Sequence, residues 1–250
     1  MDRDELMNLL DQLTGVPSVE LKLNVPADRR MALAGLHLDV MDAVLREVYF
    51  FDTADLSLFH HGLVVRARRT QGKDDDTVVK ARPAVPAELP PAVRDSRNLK
   101  LEMDLTRGGY VVSASLKGRR KAGAVRAAVG DNGGLEPLFS KEQRAFFAGR
   151  KPPGVDWLDL HPLGPIVVVL LRFVPGGFPQ RSTIEQWHYP GEIPLVELST
   201  KATPRTLLEA VVAWEKFVRA HGLTATGPQE PKTRRALEFY VKHLGPQPVA

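Results

Sequence analysis

Residues 49–69 read YFFDTADLSLFHHGLVVRARR. The hydrophobic run from Tyr49 predicts a strand ending at Asp52-Thr53, followed by one short helical turn and a second strand opening after Gly62. Side chains alternate along a strand, so Arg66 and Arg68 share one face while Leu63, Val65 and Ala67 share the other. Two arginines on one face make a poor core and a good anion clamp, because the guanidinium fork matches the oxygens of a phosphate. The solvated face of a half-exposed sheet carries the same pattern, so the neighbouring strands must decide. Asp52 is expected to shape the turn with Thr53, and the adjacent His60 and His61 to face solvent.

Composition sets outer bounds. The 250 residues, 43% hydrophobic and 26% charged, suit a soluble globular chain able to bury a substantial core. The formal net charge is only +4, so the location of the cations matters more than their number. With no cysteine, disulfides and thiolate zinc sites are excluded, and any metal would be held by carboxylates, histidines or carbonyls. The run IVVVLL at 166–171 has the length of a buried strand and is too short to span a bilayer. The opening MDRDEL lacks the apolar core of a secretory signal, so the expected location is cytoplasmic, with no membrane partner.

Along the chain, residues 2–14 predict an amphipathic helix within an N-terminal extension, 1–16. SVELKLNV at 18–25 alternates strictly, setting Ser18, Glu20, Lys22 and Asn24 on one face. A helical stretch is expected around 26–35. TVVKA at 77–81 is a short strand carrying Lys80. Residues 82–94, punctuated by Pro83, Pro86, Pro90 and Pro91, read as a surface loop. NLKLEMDLT at 98–106 sets Lys100, Glu102 and Asp104 opposite Leu99, Leu101, Met103 and Leu105. Residues 107–161 read as a helical insertion: one helix from about 110, broken near Gly118, and a second at 140–148. Arg119, Arg120 and Lys121 would then be a solvated helix face. Three further strands carry Arg172, then Glu185, then Glu197, Ser199 and Lys201. A helix capped by Thr203 and Pro204 follows, and a last one at about 231–244. Its first turns hold Lys232, Arg234 and Arg235 against the helix dipole, which suggests an anionic neighbour.

Four strands thus pair a clean apolar face with a face mixing acids and bases. Either a flat sheet shows the charges to water, or an antiparallel sheet of about eight strands closes into a barrel with helices outside and charges in the lumen. The candidate lumen cations are Lys22, Arg66, Arg68, Lys80, Lys100, Arg172, Lys201 and Lys232; the candidate acids are Glu20, Glu102, Asp104, Glu185 and Glu197. Eight against five leaves +3, which suits a polyanion. Acids among those cations make sense if a divalent ion lies between them and phosphate oxygens. Nucleic acid is the weaker partner, because the cations alternate along strands and form no outer patch.

These residues occur in a telling order: Ser18-Val19-Glu20-Leu21-Lys22, Tyr49 to Thr53, Arg66-Ala67-Arg68, Lys80, Glu102 with Asp104, Glu185, Glu197-Leu198-Ser199 and Lys232. In that order the chain resembles the CYTH family, the triphosphate tunnel metalloenzymes, across 18–235. The resemblance implies an α+β fold, a closed antiparallel tunnel domain over 17–245. It implies hydrolysis of an inorganic or organic triphosphate, with a polyphosphate- or nucleotide-binding module or an adenylate cyclase as alternatives. By the same resemblance Arg66, Arg68, Lys80, Lys100, Arg172, Lys201 and Lys232 would hold phosphates. Glu20, Glu102, Asp104, Glu185 and Glu197 would hold Mg²⁺ or Mn²⁺, and Lys22, Glu102 and Asp104 would take part in the chemistry. Ser18 and Ser199 stand where the family has glutamates. That departure implies one metal ion in place of two, and either a slow enzyme or a binding protein. A homodimer is compatible with the sequence.

Overall fold

The computed structural model describes residues 13, 15–25, 33, 35–36, 38–106, 109–130, 134–224, 229 and 231–244. Apart from isolated positions, the helices expected at 2–14 and 26–35 lie outside the described residues. The strands are β1 (Val19–Val25), β2 (Val44–Asp52), β3 (Leu63–Thr70), β4 (Asp75–Ala81), β5 (Leu99–Thr106), β6 (Gly109–Arg120), β7 (His161–Phe173), β8 (Ser182–His188) and β9 (Leu195–Ala202). They close into a barrel in the order β1-β5-β6-β4-β3-β2-β7-β8-β9. Every neighbouring pair is antiparallel except β1 and β5, which run parallel.

Two expectations change, for one reason. The stretch expected as a helix broken near Gly118 is β6, a twelve-residue barrel strand. It brings the strands from about eight to nine, and an odd ring cannot alternate direction all the way round. One parallel seam is unavoidable, and β1 against β5 supplies it. The barrel is therefore mixed. Arg119 and Arg120 consequently end a strand: Arg119 pairs with Asp74 at 2.8 Å and Arg120 donates to the Leu138 carbonyl.

The helices are α1 (Ser57–His60), α2 (Pro91–Arg94), α3 (Ala124–Gly130), α4 (Lys141–Ala148), α5 (Leu207–Ala220) and α6 (Lys232–Leu244). Asp52 does shape the turn, accepting from the amides of Thr53, Leu58 and Phe59 at 2.8, 2.9 and 3.0 Å and so holding the start of α1. His60 and His61 are exposed. Outward residues of β2, β3, β4 and β6 pack under the 124–160 segment, where Phe147 and Phe139 meet Trp157 at ring separations of 4.2 and 4.8 Å. Outward residues of β1, β8 and β9 pack under α5 through Ala210, Trp214, Phe217 and Val218. Gly222, in the left-handed region at φ 65°, stops that helix region.

The last helix behaves differently. α6 lays Ala236, Leu237 and Tyr240 against Val48, Phe50, Ile166, Val168 and Trp187, inward-facing residues of β2, β7 and β8. It fills one end of the lumen with apolar side chains and carries Lys232 to the boundary of what remains. Among the described residues no helix is long and apolar enough to cross a membrane.

Gln143 ties α4 to the barrel. It forms a capping box with Ser140, its Oε1 lies 3.0 Å from Thr77 Oγ1, and its Nε2 donates to the Leu116 carbonyl at 3.1 Å. Gly118 makes room for it, since a Cβ there would sit 2.5 Å from Gln143 Oε1. Replacing Gln143 with Leu leaves buried polar groups unpaired, and urea denaturation should show a loss of about 1–3 kcal/mol.

Candidate functional site

Beyond the apolar end, the lumen holds a cavity of about 470 Å³. The thirteen charged side chains singled out from the sequence, on seven strands and α6, all line it. Ser199 lines it too, with its Cα opposite Lys22 across the β1–β9 ladder. Ser18 does not; its carbonyl accepts from the Met103 amide at 3.0 Å.

The charges are sorted by strand. The contiguous wall β6-β4-β3-β2-β7 presents Lys117, Lys80, Arg66, Arg68, Arg46 and Arg172. Its one inward acid, Asp76, is paired with Arg68 at 2.8 Å. The opposite wall, β8-β9-β1-β5, carries all five acids, Glu185, Glu197, Glu20, Glu102 and Asp104, interleaved with Lys22, Lys100 and Lys201.

Three of these cations escape the sequence reading. Arg46 shares its face of β2 with Val48 and Phe50, so it looks like a stray charge on an apolar strand. Arg82 follows directly on β4, in a stretch read as loop. Lys117 lies on β6, and a helical assignment there erases its parity. The alternation Val112-Ser113-Ala114-Ser115-Leu116-Lys117 is the signal that would have found it. With these three, eleven basic side chains line the cavity against five acidic ones, a net of +6 and not +3.

On the basic wall, donors lack acceptors. Nε of Arg66 and Nε of Arg46 are both buried with no hydrogen-bond partner. Burial, reinforced by Arg68, pulls the Arg66 guanidinium down to about 10. Burial likewise pulls Lys80 down to about 8, against the attraction of Asp104, whose Oδ2 is 3.9 Å away. These groups are held charged in a place that disfavours charge.

On the acidic wall the reverse holds, because every carboxylate has an ammonium partner. Glu20 and Asp104 are Cα partners across β1 and β5, and Lys22 Nζ lies between them at 3.2 and 2.8 Å. Glu185 and Glu197 are Cα partners across β8 and β9; Lys232 bonds to Glu185 and reaches Glu197 at 2.7 Å. Glu102 receives both Lys100 and Lys201. Burial alone would raise Glu102, but Lys100 and Lys201 outweigh it and hold the carboxyl down to about 2. Burial is likewise outweighed at Asp104 by Lys22, Lys80 and Arg82, and its carboxyl lies well below the usual range. For Lys22, burial is overcome by Glu197, Glu20 and Asp104, which raise it above its ordinary value.

This arrangement does not suit a resident divalent ion. Among the described residues no three carboxylate or histidine side chains gather around a common point. Glu20 lies opposite Lys201 and Glu197 opposite Asn24, four positions apart on the same ladder, or about 13 Å along the strand. The two carboxylates that could share an ion, in each cross-strand pair, already share a lysine.

No protein-family model matches the chain, and no curated protein matches it. Solved structures do. HpAC1 of Hippeastrum, a candidate adenylyl cyclase with a dominant triphosphatase activity, superposes with a TM-score of 0.64 at 14% identity, over 89% of this chain and 96% of that one. A candidate adenylate cyclase of Bacillus halodurans gives 0.61 at 15% identity, over 88% and 97%. The barrel fold is theirs.

Lys232 is the most consequential single contact of the acidic wall, since it alone separates Glu185 from Glu197. Lys232→Met leaves Glu197 without its ammonium and Glu185 with only Arg46 at 3.6 Å and the Trp187 indole at 3.2 Å, and denaturant unfolding should show a loss of about 3–5 kcal/mol. Glu185→Gln should cost less, because Lys232 keeps Glu197.

Proposed function

We propose that the tunnel binds the phosphate chain of a triphosphate, inorganic or organic, and hydrolyses its terminal phosphoanhydride bond. The observation that carries this reading is the pair of buried, acceptor-less Nε atoms of Arg46 and Arg66 on a wall of six cations. Guanidinium groups so placed need oxygen acceptors of high charge density, and a linear phosphate chain supplies them at the spacing of neighbouring strands. Arg46, Arg66, Arg68, Lys80, Lys117 and Arg172 would hold phosphate oxygens, with Lys100, Lys201 and Lys232 approaching from the opposite wall. The triphosphatase activity of HpAC1, a protein of the same fold, agrees with this substrate class.

Hydrolysis would proceed by attack of water on the terminal phosphorus, with the bond to the bridging oxygen breaking and the remaining phosphates leaving. Phosphoryl transfer rests mainly on placement and on stabilising charge over the phosphate oxygens, which a cationic wall provides. Asp104 Oδ2, buried, with Arg82 Nη1 at 3.2 Å but no hydrogen-bond donor, would accept from that water and orient it. Its low basicity suits orientation better than proton removal. Lys22 stays protonated and acts as a charge and a donor, so it is no base for the attack. Glu102, with Lys100 and Lys201, fixes the far side of the chain.

Binding without turnover is the second reading, favoured by the complete pairing of the acids with lysines. Phosphate release from tripolyphosphate, ATP and thiamine triphosphate, each with and without Mg²⁺ or Mn²⁺, separates the two. Release supports hydrolysis; calorimetric binding with no release supports the module; cyclic AMP from ATP would favour a cyclase. No binding of any of the three overturns the proposal.

Arg66→Ala should weaken tripolyphosphate binding about 10- to 100-fold by calorimetry, the effect of removing one charge-assisted donor group. Affinity should also depend on pH with a definite sign. Lys80 and Lys100 are protonated below about 8 and lose their charge above it, so binding should weaken as pH rises past 8. An affinity that strengthens between pH 7 and pH 9 would contradict the placement of these lysines against phosphate.

A further inference from the structure

We infer that this tunnel holds its oligophosphate without a resident divalent ion, Lys22 and Lys232 standing as fixed cations between two cross-strand carboxylate pairs. The ligand class rests on the function proposed above; the metal-free arrangement rests on the acidic wall itself. Like charges directly opposite on neighbouring strands repel, and both Glu20–Asp104 and Glu185–Glu197 are such pairs. Each needs a cation between its members to exist in a closed lumen, and in each that cation is a lysine of the chain.

Seating a divalent ion in either pair would require the ammonium to leave. The displaced lysine would then enter a lumen whose lining already carries six more basic than acidic groups. Relocating a poorly hydrated ammonium among like charges is expensive. A divalent ion would in addition have to shed its own tightly held water to enter. Charge balance does not call for a metal either. Even with the inward Asp76 counted, a net of +5 already matches the roughly five negative charges of a fully ionised triphosphate before any ion is added.

Lys22 is the sharper test, because its removal should create what the inference says is missing. Without it, Glu20 and Asp104 face each other with no bridging cation, which is the beginning of a divalent site. Three calorimetric titrations on the full chain decide the matter. Mn²⁺ alone added to the wild-type protein should bind more weakly than about 1 mM. Mn²⁺ added to Lys22→Gln should bind at least about tenfold more tightly than that. Tripolyphosphate added to the wild-type protein should bind in EDTA within about threefold of its affinity in Mg²⁺.

Micromolar binding of Mn²⁺ to the wild-type protein, or tripolyphosphate binding that disappears in EDTA, overturns the inference while leaving the proposed substrate class intact. Tripolyphosphate that binds under neither condition removes the substrate class. Should Lys22→Gln fail to fold, the two wild-type titrations still decide.

Discussion

A lysine ammonium held between two carboxylates that face each other across a strand pair is the contact on which this molecule depends. It occurs twice, at Lys22 and at Lys232, and it reconciles two demands that otherwise conflict. A barrel whose outside is buried under helices must turn its polar residues inward, and inward charges sit where water is scarce. The four strands of the acidic wall meet that constraint by interleaving acids with lysines and pairing them within and across strands. The five strands of the basic wall do not meet it: they carry six inward cations and one inward acid, Asp76. The molecule is thus neutralised on one side and left electrostatically incomplete on the other.

That asymmetry is a property of strand order. In sequence, the cations of β2, β3, β4, β6 and β7 are spread from Arg46 to Arg172, and the acids of β1, β5, β8 and β9 from Glu20 to Glu197. Ring closure sorts them. Because β5 turns away from its sequence neighbour β4 to pair with β6 and β1, and β2 pairs with β7, the basic strands become contiguous. The parallel seam between β1 and β5 sets Glu20 opposite Asp104. Nine strands force one such seam, so the odd strand count and the first carboxylate pair have a common origin.

The closing helix ties both halves together. α6 contributes an apolar face to one end of the lumen and Lys232 to the second carboxylate pair, so one segment supplies both a hydrophobic stopper and a cation. Basic residues in its first turns work against the helix dipole. Their placement is explained locally by Glu185, Glu197 and Glu192, with Arg235 reaching Glu192 at 3.1 Å.

Much of this was legible along the chain, wherever one face of a strand is apolar and the other charged. Period two in 18–25, 63–69 and 98–106 was enough to assign Glu20, Lys22, Arg66, Arg68, Lys100, Glu102 and Asp104 to one surface, because the pleat itself alternates faces. It was not enough to identify Arg46, which keeps apolar company on β2, nor Lys117, whose strand is rich in small residues, Gly118 beneath Gln143 among them, and resembles a helix. Parity is local and could be read residue by residue. Which strands become neighbours, and hence which lysine falls between which carboxylates, depends on contacts up to two hundred residues apart, and only the closed barrel decides it.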